Sequence, residues 1–203
     1  IPIFNPINPH ELIEFGLYGY AMSRFSGCWI GMKCITDNVD SSASFEFDPT
    51  LQDFVIPKGF DMPIDGLSIR WPDPPLEQEI RLHNHKINAA RAFTAANNIN
   101  RLIFDSKKPR LGIVTTGKAY LDTLQALSDL GIDAEEADRI GLRLLKIGMP
   151  WPLEPNIIER FAEGLNEIVV VEEKRAVIES QLKEQLYNFD TSKRPKIVGA
   201  IAE

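Results

Sequence analysis

The chain has 203 residues, of which 44% are hydrophobic and 25% charged, a composition typical of a globular protein with one sizeable core or two small ones. Its formal net charge of -7 argues against a nucleic-acid surface, because phosphate binding requires a concentrated basic field. The longest uninterrupted apolar run, residues 168–171, is far shorter than the ~20 residues of a bilayer-spanning helix, so no membrane partner is expected.

The chain begins at Ile1, without Met and without a basic stretch followed by an apolar segment. We therefore expect no secretory signal, and we expect the chain to be a piece of a longer polypeptide. Cys28 and Cys34 have a spacing that matches no zinc, iron–sulfur or redox pair. Both are expected to be buried thiols, in a reducing, cytoplasmic setting.

The first 48 residues contain one predicted helix and one predicted strand. Residues 9–22 place apolar side chains at Ile13, Leu17 and Tyr20, which is helical spacing. Residues 28–35 form a compact apolar run bounded by polar residues, which predicts a buried strand followed by a polar loop. One helix and one strand cannot bury a core, so residues 1–48 are expected to be the end of a domain.

Residues 49–75 are predicted to be a connector that divides the chain. This stretch holds six of the 14 prolines, together with Gly59 and Gly66. Because proline removes backbone donors and is excluded from helix interiors, the stretch should run over the surface as an extended arm.

Strands and helices alternate after the connector, in residues 76–203. A long helix runs toward Asn97 and is followed by predicted strands at residues 111–115, 142–147, 168–171 and 196–200, with helices at 118–130, after Asp133, at 156–164 and at 174–187. This order predicts an α/β fold with a mainly parallel sheet, right-handed crossovers and helices on both faces. Residues 168–171 are apolar on both faces and should be the central strand.

Three loops follow predicted parallel strands and are therefore candidate binding loops. Their residues are Thr116, Gly117 and Lys118; residues 148–152, which include Trp151; and Glu172, Glu173 and Lys174. These loops should converge on one edge of the sheet, where they could form a recognition edge. Alternatively, Trp151 packs under a neighbouring domain, and the loop that begins with Glu172 and Glu173 is a solvated helix start.

The remaining motifs offer little catalytic chemistry. Residues 112–119 have the glycine and lysine spacing of a phosphate-binding loop, but Ala119 replaces the hydroxyl that binds magnesium. In such a loop the first glycine follows the strand, whereas Gly112 precedes the β-branched residues that must form it. A tight turn at Gly117 is the simpler interpretation, although the following helix start could accept an anion. We expect His83 in the core and His85 and His10 on the surface, and the sequence shows no catalytic or metal-binding cluster.

Six segments together resemble the thiamine-diphosphate-dependent 2-oxoacid:ferredoxin oxidoreductases, and most closely the indolepyruvate ferredoxin oxidoreductases. They are residues 140–153 (IGLRLLKIGMPWPL), 168–175 (IVVVEEKR), 181–188 (QLKEQLYN), 23–33 (SRFSGCWIGMK), 69–73 (IRWPD) and 117–122 (GKAYLD). The resemblance spans nearly the whole chain. It implies that residues 76–203 are similar to the transketolase C-terminal domain and that residues 1–48 end a pyrimidine-binding domain.

The resemblance also implies a reaction. The complete enzyme would oxidatively decarboxylate indolepyruvate or a related aryl pyruvate to an acyl-CoA, using thiamine diphosphate, magnesium and iron–sulfur clusters, with coenzyme A as co-substrate and ferredoxin as electron acceptor. Its other domains or subunits would be the partners of this piece, and the complete enzyme would be a homo-oligomer.

No catalytic residue can be carried over from that family, because its cofactor-binding motifs are expected outside this chain. The piece alone is therefore expected to be inactive and free of cofactor and metal. The polar loop that contains Thr36, Asp37, Ser41 and Ser42 is the segment expected to approach the active site. A free-standing binding module for an anionic ligand, such as coenzyme A or a nucleotide, remains the alternative.

Overall fold

A computed structural model describes residues 1–46, 53–71 and 73–200. In chain order the strands are β1 (Ile3–Phe4), β2 (Gly31–Met32), β3 (Arg101–Phe104), β4 (Leu111–Thr116), β5 (Leu142–Ile147), β6 (Glu167–Val171) and β7 (Lys196–Val198). The helices are α1 (Pro9–Ser26), α2 (Thr36–Val39), α3 (Pro75–Arg81), α4 (Ile87–Ala96), α5 (Gly117–Asp129), α6 (Ala134–Ile140), α7 (Pro155–Ala162) and α8 (Val177–Gln185). None of these helices has the length and apolar character that a membrane crossing requires.

The main sheet has five strands in the order β3-β5-β4-β6-β7, and β4 to β7 are parallel. The predicted α/β fold with a mainly parallel sheet is therefore confirmed, and each of the four predicted strands is present. The expectation that residues 168–171 form the central strand is wrong, because β4 lies in the middle and β6 lies between β4 and the short β7. The sequence prediction also lacks β3, which pairs antiparallel with β5.

Helices cover both faces of this sheet. On one face, α7 and α8 pack on β4, β5 and β6 through a cluster that includes Phe161, Leu182 and Ile168. On the other face, α5 and α6 pack on β5 through Tyr120 and Ala137. Each helix contributes the apolar side of its 3.6-residue repeat, which is why the alternating pattern predicts this arrangement.

The N-terminal segment differs from its predicted structure. Only Gly31 and Met32 of residues 28–35 form a strand, since they pair with the two-residue β1. Cys34 is exposed, so the expectation of two buried thiols holds for Cys28 alone. The predicted polar loop begins with the short helix α2, which Asn38 anchors by accepting from the N–H of Ile35 and donating to the carbonyl of Pro6.

Residues from both sides of the predicted connector share one hydrophobic cluster. Phe4, Phe15 and Met22 pack against Phe93 and Met149. The N-terminal segment therefore buries its apolar face against α4 and the loop that follows β5. The division of the chain into residues 1–48, 49–75 and 76–203 stays a prediction.

In the connector, positions 53–71 and 73–74 contain no helix or strand. Phe54 contacts Tyr18 edge-on at 5.5 Å, and Phe60 contacts Phe25 at 5.7 Å, so this segment lies along α1. The parts of the predicted connector around Pro49 and at Pro72 lie outside the described residues.

The predicted long helix is present, but a π-helical turn at Leu82–Lys86 joins α3 to α4. An i→i+5 turn inserts a residue and rotates the apolar stripe. His83 is exposed and His85 half-buried, which contradicts the expectation that His83 is a core residue and His85 a surface one. The face of the helix that carries Leu76, Ile80 and His83 is not covered, since α3 has no buried residue. His10 is exposed as expected.

Candidate functional site

The carboxyl ends of β4, β5 and β6 lie side by side at one edge of the sheet. Thr116 is in register with Ile147 at the end of β5, and Thr115 is in register with Val171 at the end of β6. The loops 116–118, 148–152 and 172–174 therefore leave the sheet at the same edge, which we call the rim. Open parallel sheets bind ligands and partners at this position. A binding role for the rim stays a prediction.

Strand β1 lies across part of the rim. The N–H of Ile3 donates to the carbonyl of Trp151 at 2.7 Å, and the N–H of Asn5 donates to the carbonyl of Gly148 at 2.9 Å. The Asn5 side-chain amide donates to the hydroxyl of Thr116 at 3.1 Å. Since Thr116 is buried under this contact, its hydroxyl fixes β1 and does not face solvent.

Gly117 begins α5 in the left-handed conformation, with φ of 54°. A Cβ atom on this residue would lie 2.6 Å from the Asn5 amide nitrogen, closer than real Cβ contacts. The predicted tight turn is confirmed. The missing side chain of Gly117 also leaves the space that Asn5 occupies, because only glycine lets β1 approach the rim this closely.

We expect Gly117→Ala to lower the free energy of unfolding by about 2–3 kcal/mol, since it adds a clash with Asn5 to the strain of a left-handed alanine. Gly131→Ala is the matched control. Gly131 also has positive φ, 70°, but a Cβ there meets nothing within 4 Å, so a loss of only about 1 kcal/mol is expected. Urea denaturation of both variants measures the difference, and equal losses would show that the Asn5 contact adds nothing.

A charged group at the rim brings together residues from three of the predicted loops. The Lys118 ammonium contacts Asp122 at 2.7 Å, and this hydrogen bond raises the pKa of Lys118. The nearby carboxylates of Asp37 and Glu173 raise the same pKa further. Glu173 also lies 3.8 Å from the Lys33 ammonium. Acidic and basic groups thus alternate over the uncovered part of the rim, a pattern suited to a polar or charged partner surface.

Glu172 and Trp151 have different surroundings. The Glu172 carboxylate accepts from the N–H groups of Val177, Ile178 and Glu179 at 2.9–3.1 Å, so it caps α8. Trp151 is 44% exposed, half covered by its neighbours and half open to solvent. Of these two, Trp151 alone keeps a surface free for a partner.

The polar residues after β2 are mostly exposed. Thr36, Asp37, Ser41 and Ser42 all face solvent, and the Ser41 hydroxyl donates to the carbonyl of Asn38 at 3.2 Å. Asp37 is the member of this group that lies near Lys118. The structure therefore connects the polar loop to the rim through Asp37.

A buried ion pair beneath the N-terminal segment was not predicted. Lys146 of β5 contacts Glu11 of α1, and the two side chains are only 5% and 6% exposed. The Lys146 ammonium also lies 5.2 Å from the Tyr120 ring and 6.0 Å from the Phe15 ring. The signal that could have revealed it is the lysine within the apolar strand 142–147, because a buried lysine requires a partner.

Burial dominates the electrostatics of this pair. Desolvation lowers the pKa of Lys146, and the Glu11 carboxylate opposes that shift. Burial also raises the pKa of the Tyr120 hydroxyl, with Glu11 adding to the rise. The pair is closed off by α1 and the two rings, so its contacts are those of a structural clamp between the N-terminal segment and the sheet.

Metal chemistry has no candidate ligands in the described part of the chain. No group of three or more His, Cys, Asp or Glu side chains among those residues could hold a metal ion. Cys28 is buried and Cys34 is exposed, and both are free thiols.

The sheet order and the rim define the class of protein, a mainly parallel α/β domain whose carboxyl edge is partly covered by its own N-terminal strand. Within that class, the chain belongs to the family of the indolepyruvate ferredoxin oxidoreductase middle domain, which matches residues 100–203. The matched residues contain the whole of the main sheet from β3 to β7. The resemblance stated from the sequence is thereby confirmed.

Curated relatives agree with this membership. A protein named indolepyruvate oxidoreductase subunit IorA from Methanothermobacter thermautotrophicus is 22% identical to this chain over 188 residues. The protein of the same name from Thermococcus kodakarensis is 21% identical to it over 192 residues. The alignments cover 90% and 93% of this chain but 28% of each relative. The chain therefore spans about a quarter of the length of these relatives.

A solved structure of a 2-oxoglutarate:ferredoxin oxidoreductase from Magnetococcus marinus is similar over 99% of this chain, with a TM-score of 0.56 and 11% identity. The match covers 39% of that chain, which was solved with 2-oxoglutarate, coenzyme A and succinyl-CoA bound. At this identity the likeness shows a shared fold.

Proposed function

We propose that this chain is a non-catalytic part of an indolepyruvate ferredoxin oxidoreductase. The complete enzyme would oxidatively decarboxylate an aryl pyruvate to an acyl-CoA and pass the electrons to ferredoxin. The observation that carries the proposal is the family match over residues 100–203, which contains the main sheet. A free-standing module for an anionic ligand is not favoured, because the relatives carry the matching region inside much longer chains.

The residues present do not fit the cofactors that the family implies. Iron–sulfur clusters of the ferredoxin type are held by four cysteine thiolates, and the whole chain has two cysteines. A magnesium ion for the diphosphate of thiamine needs a group of oxygen ligands, and the described residues offer no such cluster. In the proposed enzyme, thiamine diphosphate, magnesium and the clusters belong to other parts of the complete protein.

The domain assignment is part of this proposal. Residues 1–48 would end a pyrimidine-binding domain, residues 49–75 would connect, and residues 76–203 would form a domain similar to the transketolase C-terminal domain. The two-residue strands β1 and β2 support the first assignment, because so small a sheet does not form a domain by itself. The complete enzyme would work in the cytoplasm as a homo-oligomer, and the free thiols of Cys28 and Cys34 suit a reducing compartment.

The test compares the complete gene product with this chain, both purified without oxygen. We expect the complete protein to reduce ferredoxin in the presence of indolepyruvate and coenzyme A and to bind thiamine diphosphate with magnesium. The 203-residue chain should show neither property in the same assay and in calorimetric titration, because it has two cysteines and the described residues contain no metal-binding group. A complete protein without activity on any aryl pyruvate would contradict the proposed reaction, and tight thiamine diphosphate binding by this chain would contradict its non-catalytic role.

Within the proposal, the rim is an interface with another domain or subunit, and Trp151 is its exposed aromatic side chain. We expect Trp151→Ala to weaken assembly of the complete enzyme by about 2 kcal/mol or more, since interface tryptophans often dominate binding. The stability of the 203-residue chain should change little, because the bonds from Ile3 and Asn5 use backbone carbonyls.

Leu130→Ala is the control for this prediction. Leu130 is also exposed, 73%, but follows the carboxyl end of α5, away from the start of that helix at the rim. Sedimentation of the complete enzyme should separate the two variants. Equal assembly of both, or unfolding of the Trp151→Ala chain itself, would show that Trp151 is not an interface residue.

A further inference from the structure

Strand β2 has one paired edge and one open edge. On the paired side, the N–H of Gly31 donates to the carbonyl of Pro2 at 2.8 Å, and the N–H of Lys33 donates to the carbonyl of Phe4 at 2.7 Å. Successive N–H groups of a strand point to opposite sides. The N–H groups of residues 30 and 32 therefore point away from β1, and within the described ranges they have no hydrogen-bond partner.

A groove of about 620 Å³ lies beside residues 27–32. Its opposite wall is α1, where Gly16 and Gly19 are one helical turn apart. Gly16 is half-buried with open space beside it, whereas Gly19 is buried beside the Ile30 side chain. Three large side chains at the groove are strongly exposed, namely Tyr20 at 72%, Trp29 at 76% and Ile69 at 65%. An apolar groove with exposed aromatic residues at its border is typical of an interaction site.

The sheet that contains this open edge is too small to stand alone. It consists of β1 and β2, two residues each, and the pair is parallel. Parallel strands occur almost only in larger sheets that are covered on both faces. On its other side β1 is already bonded to the loop at Gly148 and Trp151, so a further strand can join only at β2.

We propose that an extended segment of the complete polypeptide, from outside these 203 residues, pairs with the open edge of β2 and packs its apolar side chains into the groove. The length of the relatives points to this occupant, because the chain spans 28% of them and the greater part of their sequence lies elsewhere. Backbone groups of residues 30 and 32 provide the affinity, and the pocket between Tyr20, Trp29 and Ile69 selects alternate apolar side chains. The proposal rests on the proposed function only in taking this chain to be part of a longer protein.

Hydrogen–deuterium exchange tests the pairing directly, on peptides that cover residues 28–33. We expect the amides of residues 30 and 32 to exchange about 100-fold more slowly in the complete protein than in the 203-residue chain, because a strand bond must open first. The amides of Gly31 and Lys33 are bonded to β1 in both proteins and serve as internal controls. Equal rates for residues 30 and 32 in the two proteins would overturn the proposal.

A second copy of the chain is the competing occupant. It would give slow exchange in the 203-residue chain itself, with a rate that falls as protein concentration rises, and this outcome would also overturn the proposal.

The variant Met32→Pro isolates the contribution of the backbone N–H of residue 32 to the pairing. Met32→Pro removes the N–H that faces the open edge, and Gly31 before it has no Cβ to clash with the proline ring. Met32→Ala removes the same side-chain packing but keeps the N–H. In the complete protein, the amide of residue 30 should exchange at least about tenfold faster in Met32→Pro than in Met32→Ala, whereas in the 203-residue chain the two variants should match.

Indistinguishable variants in the complete protein would contradict the proposed pairing. The exchange rates report the strand edge whether or not the complete protein oxidises an aryl pyruvate. A protected edge in a protein without that activity would therefore overturn the proposed reaction and leave the pairing intact.

Discussion

Replacing Glu11 by Ala is expected to lower the free energy of unfolding by about 3–5 kcal/mol, the range for a buried ion pair that loses one member. The substitution leaves the Lys146 ammonium enclosed by Phe15 and Tyr120, with its side chain only 5% exposed. It also removes the acceptor for the N–H of Ile7, which lies 3.0 Å from the Glu11 carboxylate. Urea denaturation of the 203-residue chain measures the loss.

The neighbouring acidic residue of α1 provides a matched control. Glu14 pairs with Arg101 at 3.3 Å, and the arginine side chain is 43% exposed. The Glu14 side chain is 16% exposed, but its partner is open to solvent, and an ion pair with a solvent-exposed member contributes about 1 kcal/mol, so Glu14→Ala should have the smaller effect. The contrast between the two variants separates burial from charge, since both residues are glutamates in the first half of the same helix.

A double-mutant cycle gives the sharper result. Lys146→Met alone and Glu11→Met alone should each be about as damaging as Glu11→Ala, because each leaves one buried charge without its partner. Combining Glu11→Met with Lys146→Met should recover at least about 2 kcal/mol relative to the sum of the single losses, since no unpaired charge then remains. Additive losses would show that the two side chains do not interact in the folded protein.

The parallel sheet could be predicted because its information is local. Residues 142–147 and 168–171 are short apolar runs separated by segments of helical periodicity, and that alternation admits few topologies. The position of the three loops at one edge follows from the parallel order alone. The central strand was assigned wrongly because an apolar run shows burial but not how many neighbours a strand has on each side.

The less regular elements depend on contacts that are distant in sequence. The four residues of β3 (RLIF) are a short apolar run that periodicity alone does not assign to a strand or a helix, and their partner β5 lies about 40 positions later. The apolar run 28–35 is strand-like, but its partner β1 is two residues long, so only two residues pair. The apolar stripe of Leu76 and Ile80 suggests a core face that includes His83, but a single sequence does not show whether another element covers that face, and in the structure none buries it.

In the candidate site, too, local features could be predicted from the sequence, whereas contacts between distant residues could not. The loop positions of Lys118, Trp151 and Glu173 were predictable, since each follows a parallel strand. The covering of the rim by Asn5 was not, because the hydrogen bond to Thr116 joins residues 111 positions apart. Glu11 and Lys146 are 135 positions apart, and a single sequence shows that the buried lysine needs a partner without showing which one.

The second large effect is expected at Asn100, which also holds the rim loop at Gly148. Its side-chain oxygen accepts from the N–H groups of Gly148 at 2.9 Å and Met149 at 3.1 Å, and Asn100 is 4% exposed. Asn100→Ala leaves both N–H groups buried without an acceptor, and each such group costs about 1–3 kcal/mol, partly offset because the buried side-chain nitrogen of Asn100, which has no partner among the described residues, is removed as well. We therefore expect the free energy of unfolding to fall by about 3 kcal/mol.

The control and the local readout for this prediction use the same region of the chain. Asn156 is an exposed asparagine near the start of α7, and Asn156→Ala should change stability by less than about 0.5 kcal/mol, as for most surface substitutions. Because Asn100 is the acceptor for Gly148 and Met149, their amides should exchange faster in Asn100→Ala but not in Asn156→Ala. Unchanged exchange at these two amides, even with a lower stability, would show that the loop is held by β1 and the core cluster, and that Asn100 acts through packing alone.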